Sequence, residues 1–220
     1  ACRAFDAPVT GGNVSFYNHT VTGQRNIPVF PTPTIGMVGI VPDASKRMSL
    51  DFKHKGDLIF LLGKVVDDIA SSEYLVRIHG IQRSPAPYFD IDEEKRLHTM
   101  LLMLIRKGLI NAAHDVSDGG LWVALVEMGL PRGLGFDVVT DSEVREDSFL
   151  FGEAQGRAVV TVAQENEDPF LDLMAQSRVP CMLLGHVTQG KLMIDDASFG
   201  TIAEARKTYE EAIPQIMREP

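Results

Sequence analysis

Cysteine, tryptophan, long apolar runs and excess positive charge are all scarce in this chain, and each scarcity removes a class of protein. Among 220 residues there are two cysteines, Cys2 and Cys181, with no CxxC and no Cys/His cluster. Neither a disulfide framework nor a zinc site is implied, and a reducing cytoplasm fits. No apolar stretch approaches the roughly 20 residues of a membrane-spanning helix, and no basic segment followed by an apolar one opens the chain. Membrane insertion and secretion are therefore not expected. The net charge is −9, and no Lys/Arg-rich stripe is present to neutralise a run of phosphates, so nucleic acid is not an expected partner. Walker-type GxxxxGKS, HxxxH spacing and any nucleophile beside a base are missing as well.

What is present is an ordinary globular composition, 45% hydrophobic and 23% charged, long enough for one large or two small domains. Its first conspicuous stretch is Pro8-Val9-Thr10-Gly11-Gly12-Asn13-Val14-Ser15-Phe16-Tyr17-Asn18. A glycine pair permits close approach of peptide N–H groups to phosphate oxygens, Asn13 offers a hard carbonyl oxygen suited to Mg²⁺, and Ser15 offers a hydroxyl. A plain turn is the commoner reading of the same residues taken alone. The chain opens on Ala-Cys-Arg-Ala-Phe without methionine, which reads as the end of a helix and suggests an excised part of something longer.

The remaining pattern predicts elements in order. Val9 and Thr10 enter the glycine turn as a strand that resumes over 14–17; 20–26 is a polar connection; the apolar run 34–41 is a strand buried on both faces. The charged stretch 43–56 is the expected domain boundary. Beyond it, strands are predicted at 58–62, 109–114, 136–139, 158–162, 181–187 and 192–194. Helices are predicted at 67–75, 90–107, 121–128, 142–150, 168–177 and 202–217. The helix over 90–107 has the clearest signals: Asp90 as cap, acidic residues in its first turn, Arg106 and Lys107 in its last, and Gly108 as stop. The two residues Gln189-Gly190 are too short for a parallel crossover, so an α+β fold with a mixed or antiparallel sheet is expected.

Two further constellations carry polar groups. In Asp115-Val116-Ser117-Asp118-Gly119-Gly120, two carboxylates and a hydroxyl sit where a strand meets a helix; Ser117 and Asp118 are expected mainly as helix caps. His114 beside them is a candidate general base, more simply read as a hydrogen-bonded strand end. In Leu150-Phe151-Gly152-Glu153-Ala154-Gln155-Gly156-Arg157, Glu153 and Arg157 are expected to form an ion pair or anchor a loop.

Taken together, the Pro8 to Asn18 string, Phe30-Pro31-Thr32-Pro33-Thr34-Ile35-Gly36-Met37-Val38-Gly39, His114-Asp115-Val116-Ser117-Asp118-Gly119-Gly120-Leu121 and the 150–157 segment closely resemble the phosphoribosylformylglycinamidine synthase family of purine biosynthesis. Aminoimidazole ribonucleotide synthetase, selenophosphate synthetase and thiamine-phosphate kinase share that architecture. The resemblance implies that 1–50 is the end of a truncated ATP-binding N-terminal-type lobe. It implies that 56–220 is a C-terminal α+β lobe like that of aminoimidazole ribonucleotide synthetase. It further implies ATP and Mg²⁺ as cofactors, with Gly12 lining the nucleotide, Asn13 ligating the metal and Ser15 contacting the substrate, formylglycinamide ribonucleotide. His19 stands where the family leads one to expect an acidic residue.

The activity implied is a ligase reaction: formylglycinamide ribonucleotide, ATP and glutamine-derived ammonia give formylglycinamidine ribonucleotide, ADP and phosphate. The family's catalytic histidines belong to its first repeat, so no residue here is assigned to catalysis and the chain alone is expected to be inactive. A non-catalytic nucleotide-binding or docking module is the alternative. A separate glutaminase subunit and a small bridging subunit are the expected partners, since no glutaminase sequence follows. Apolar residues in 8–41, Ile35, Val38 and Ile40 above all, are expected to be buried by a second copy of the chain or by the C-terminal lobe.

Overall fold

In the computed structural model, residues 1–14, 18–30 and 32–218 are described, and they fall into two units, Ala1–Ala44 and Ser45–Pro220. The division falls near the start of the charged stretch 43–56, and Met48 and Phe52 beyond it belong to the second unit's cores, Phe52 being completely buried.

The first unit contains one helical turn, α1 (Cys2–Phe5), and a hairpin of β1 (His19–Thr22) and β2 (Arg25–Pro28). This hairpin replaces the expected polar connection. Thr22 pairs with Arg25 across a two-residue loop, Gly23-Gln24, and Gly23 has φ of 62°, the left-handed backbone that a tight hairpin needs at its first loop residue. Every residue of both strands is exposed, so the alternation of faces that marks a half-buried strand is missing from the sequence.

Two strands expected in this unit do not form: Val9, Thr10 and Val14 are irregular, and so is all of 32–41. The expected continuation at 15–17 lies outside the described residues. A segment apolar on both faces is held as a strand only between neighbours that bury it. Among the unit's described residues it has none, and Ile35, Val38 and Ile40 are 80%, 102% and 91% exposed.

The second unit is α+β with a mixed sheet. In chain order it comprises β3 (Leu58–Leu62), α2 (Glu73–Arg77), α3 (Ile91–Lys107), β4 (Ala112–Asp115), α4 (Gly120–Gly129), β5 (Gly135–Val138), α5 (Glu146–Phe151), β6 (Ala158–Val162), α6 (Glu167–Ala175), β7 (Cys181–Thr188), β8 (Lys191–Ile194), β9 (Ala197–Thr201) and α7 (Ile202–Arg218). The sheet order is β4-β6-β3-β7-β5-β8-β9. All neighbours are antiparallel except β5 and β8.

β3 shows why helices must cover both faces. Its side chains alternate between two cores: Ile59 and Leu61 pack with Leu121, Leu125, Met128 and Phe149 of α4 and α5, whereas Phe60 and Leu62 pack with Leu97 and Leu104 of α3 and Phe170 of α6. Helices thus pack on each side of one seven-stranded sheet.

The link at 189–190 does what a short turn was not expected to do. β7 and β8 do not pair with each other; β5 lies between them, with Phe136 opposite Val187 on one side and Leu192 on the other. The link crosses the start of β5 so closely that a Cβ at Gly135 would lie 2.0 Å from the Lys191 carbonyl oxygen. Only a residue without a side chain fits there.

The unpredicted strand β9 follows Asp195-Asp196, whose φ values of 47° and 64° make a tight reversal from β8. Asp195 is fixed in it by accepting hydrogen bonds from the Thr140 N–H and hydroxyl, at 2.9 and 2.6 Å. The helix expected over 67–75 starts later and ends later, as Glu73–Arg77, because Ser72 caps it by accepting from Leu75 N.

Candidate functional site

The two polar segments that the sequence separates by some thirty residues meet in the second unit. A cleft of about 370 Å³ is lined by Asp115, Ser117 and Asp118 from the β4–α4 turn, by Glu153, Gln155, Gly156 and Arg157 from the segment before β6, and by Glu94 of α3. Two observations explain how the segments are locked. A Cβ at Gly120 would lie 2.6 Å from the Leu150 carbonyl oxygen, and Gly120 has φ of 72°, so glycine is required for the turn to close against α5. The Glu153 carboxylate accepts hydrogen bonds from Gly119 N and Glu73 N, both at 2.8 Å, and so ties the α4 and α2 helix starts to one residue.

That arrangement corrects the expected capping. The residue before α4 is Gly119, with φ of 85°, and no side chain of the turn caps the helix. Glu153, remote in sequence, takes the N–H that Ser117 or Asp118 was expected to satisfy, leaving both side chains on the cleft wall. Glu153 and Arg157 do not form an ion pair with each other. Arg157 is buried and donates to the carbonyl oxygens of Ala154, at 3.1 Å, and Gly152, so both residues anchor loops. Burial lowers the Arg157 guanidinium to about 10, against a smaller opposing pull from Asp68.

His114 lies on the far side of β4's end, nearly buried, between two carboxylates. Nδ1 is 3.1 Å from Asp115 Oδ1 and Nε2 is 2.8 Å from Glu127 Oε2, while Glu127 Oε1 accepts from the Tyr209 hydroxyl at 3.0 Å. With both ring nitrogens engaged, the histidine is a cross-link between β4, α4 and α7.

The sequence-predicted binding residues lie in the first unit. Gly12 and Asn13 are exposed on the irregular segment before the hairpin; Ser15 lies outside the described residues. Neither Gly11 nor Gly12 has a positive φ, and a Cβ at either would meet nothing within 4 Å. The reason for glycine there is thus not a tight turn or a close approach among the described residues. Among the described residues no group of three His, Cys, Asp or Glu side chains could hold a metal ion. Asn13 fits one oxygen ligand of a Mg²⁺ whose other ligands come from phosphates and water, the usual manner of that ion, and does not fit an all-protein cage.

Known proteins are similar to this chain in sequence and in fold. The family described as AIR synthase related protein, C-terminal domain, matches residues 54–195. The phosphoribosylformylglycinamidine synthase subunit PurL of Moorella thermoacetica is 39% identical over 221 aligned residues, covering 99% of this chain and 30% of that protein. The corresponding subunit of Alkaliphilus metalliredigens is 41% identical over 211 residues, covering 96% of this chain and 28% of its own. This chain therefore spans less than a third of the length of these curated relatives. Three solved Thermotoga maritima structures share the fold. PurL complexed with FGAR has a TM-score of 0.64 at 16% identity, over 74% of this chain and 30% of that one. PurL complexed with ATP has 0.58 at 17%, over 74% and 28%. PurLQS has 0.56 at 17%, over 69% and 25%.

Proposed function

We propose a function from one premise: the chain belongs to the AIR synthase related family, of which residues 54–195 form the C-terminal domain. It is the C-terminal part of an ATP-dependent synthetase of purine biosynthesis, which converts formylglycinamide ribonucleotide, ATP and glutamine-derived ammonia to formylglycinamidine ribonucleotide, ADP and phosphate. The observation that carries this reading is the 39% identity across 99% of the chain, spanning both units. Residues 1–50 are read as the end of the second ATP-binding lobe and 56–220 as the last lobe.

In this reading the amides at Gly12 bind nucleotide phosphate, the Asn13 side-chain oxygen ligates Mg²⁺, and Ser15 contacts the phosphorylated substrate. Mg²⁺ supplies charge neutralisation at the phosphates when bound. Transfer of the ATP γ-phosphoryl group to the amide oxygen of formylglycinamide ribonucleotide makes that oxygen a leaving group; ammonia adds at the carbon and phosphate departs. Peptide N–H groups fixed along 11–13 favour the negative charge on the phosphates. The enzyme works in the cytoplasm, with a separate glutaminase subunit and a small bridging subunit delivering ammonia; the Thermotoga maritima PurLQS structure supports association with partner subunits. The exposed apolar side chains of 32–41 support self-association of the isolated chain, which light scattering measures.

The test is ADP release from ATP in the presence of formylglycinamide ribonucleotide and ammonia, with this chain alone and with the preceding part of the Moorella relative added. Turnover only in the mixture is expected. Turnover by the chain alone overturns the division of labour, and no turnover from a stably associated mixture overturns the assignment.

A further inference from the structure

A second cleft shares no lining residue with the first. At about 440 Å³ it is larger than the first, and it runs between α3 and the loop leading into β7; its lining is Asp92, Lys95, Arg96, Thr99, Met100 and residues 177–179. Positions 92, 95, 96, 99 and 100 recur at helical spacing, so one stripe of α3 forms one wall. The opposite wall is Arg178, set between Ser177 and Val179.

This wall is held in place. The Ser177 hydroxyl donates to the Met174 carbonyl oxygen at 2.8 Å and accepts from Val179 N at 3.1 Å, which fixes the loop that presents Arg178. Met100 and Val179 are both buried in the core between α3 and α6, and they give the cleft an apolar floor. Thr99 donates its hydroxyl to the Lys95 carbonyl at 2.8 Å, which leaves the oxygen lone pairs as acceptors.

Three cations, Lys95, Arg96 and Arg178, thus converge on one opening in a chain of net charge −9. Among the described residues none of the three forms an ion pair with a carboxylate; Arg96 acts on Asp90 only through its longer-range field, and the carboxylate lining the cleft is Asp92. Some surface cations elsewhere are paired, Arg77 with Glu73, Arg132 with Asp51 and Arg206 with Glu210, whereas these three share one opening. Like charges gathered with little counter-charge repel, and an anion placed among them gains charge-assisted hydrogen bonds from two guanidinium groups and an ammonium. The volume suits a ligand of small-molecule size, and the apolar floor suits one carrying an uncharged ring beside its phosphate.

We propose that the cleft between α3 and the loop before β7 binds a nucleoside phosphate, with Lys95, Arg96 and Arg178 on the phosphate and Met100 and Val179 beneath the base. Binding here needs no metal, since the cations themselves neutralise the phosphate. That separates this site from the one assigned to Gly12 and Asn13. It is independent of the function proposed above.

The experiment is titration of the purified 220-residue chain with ADP, and separately with inorganic phosphate, in EDTA at low ionic strength, followed by amide chemical shifts and calorimetry. Shifts confined to residues 95–100 and 177–179 are expected, with tighter binding of ADP than of phosphate. Charge reversal by Arg178→Glu with Lys95→Glu is expected to weaken ADP by about tenfold or more, Arg178→Lys to retain most of the binding, and Lys207→Glu, at an exposed cation outside the cleft, to leave it unchanged. Both reversed side chains are exposed, so an unchanged melting temperature confirms that the fold is intact. No shifts at these residues, undiminished affinity in the reversed variant, or equal affinity for phosphate and ADP each overturn the proposal.

Discussion

The two units differ in where their apolar residues go. In the second, Phe60, Leu61, Phe136 and Phe170 are shut between a seven-stranded sheet and helices on both its faces. In the first, Phe30, Ile35, Val38 and Ile40 are equally apolar and all exposed. Hydrophobicity by itself therefore does not make an element; a segment must have a surface to turn it toward. Gly12 and Asn13, proposed to hold the nucleotide and metal of the synthetase reaction, stand in the unit with little internal packing, whereas the unit with the cores supplies stability and both clefts.

The sharpest way to break this contrast is to truncate one large side chain in each unit. Phe60→Ala is expected to destabilise the second unit by about 3–5 kcal/mol, because its ring is enclosed and lies 4.7 Å from that of Phe170. Ile35→Ala is expected to leave the denaturant midpoint of that same transition within error. A comparable loss from Ile35→Ala would show that the first unit contributes to the cooperative core after all.

A smaller effect concerns acid. Burial pushes the Asp51 carboxyl up, but hydrogen bonds from Lys53, Ser49 and Arg132 outweigh it and hold the group well below the usual carboxylate range. A depressed carboxylate stabilises fully above its unfolded value, near 3.9, and that contribution drains away as pH falls below it toward the folded value. Asp51→Asn is expected to cost about 1–2 kcal/mol at pH 7 and to flatten the loss of stability below about pH 4. Equal acid sensitivity of both proteins, measured by urea unfolding at a series of pH values, would remove Asp51 from that role.

The smallest effect is chemical. Burial pushes the Cys181 thiol up to about 11, whereas Cys2 is exposed. Alkylation of the native chain near pH 8 is expected to label Cys2 and spare Cys181 until the protein is denatured, a difference that peptide mass spectrometry resolves. Equal labelling would mean that the sheet opens around β7.

How much of this was legible in the sequence follows the same divide. The α3 helix could be placed because its signals are local: Asp90 accepts from Asp92 N and Glu93 N, and Gly108 closes the helix with φ of 68°. β6 was legible from its run of β-branched residues. The mixed character of the sheet was also expected, although its parallel pair arises from β5 and β8 flanking one another and not from the 189–190 link alone. β9 was missed because its turn uses Asp-Asp where Asn-Gly is the familiar signal.

The start of α4 was read to within one residue, at 121 against Gly120, but its capping was not, since the partner of the Gly119 N–H is Glu153, thirty-four residues further along the chain. In the cleft, both polar segments were recognisable as unusual, but their meeting depends on Gly120 seating against Leu150 and Phe151, which is a tertiary fact. The 34–41 strand failed for the opposite reason. Its apolar pattern is plain, but the partner that such a pattern demands is not found among the described residues of its own unit.

The central claim, that nucleotide chemistry belongs to the sparsely packed first unit, is tested most directly by Asn13→Ala in the reconstituted enzyme, with ADP release measured at limiting Mg²⁺. Loss of one metal ligand is expected to lower turnover by about 10–100-fold while the unfolding transition of the second unit stays where it was. An unchanged rate at limiting Mg²⁺ would contradict the account, leaving Asn13 as no more than a residue in a connecting segment.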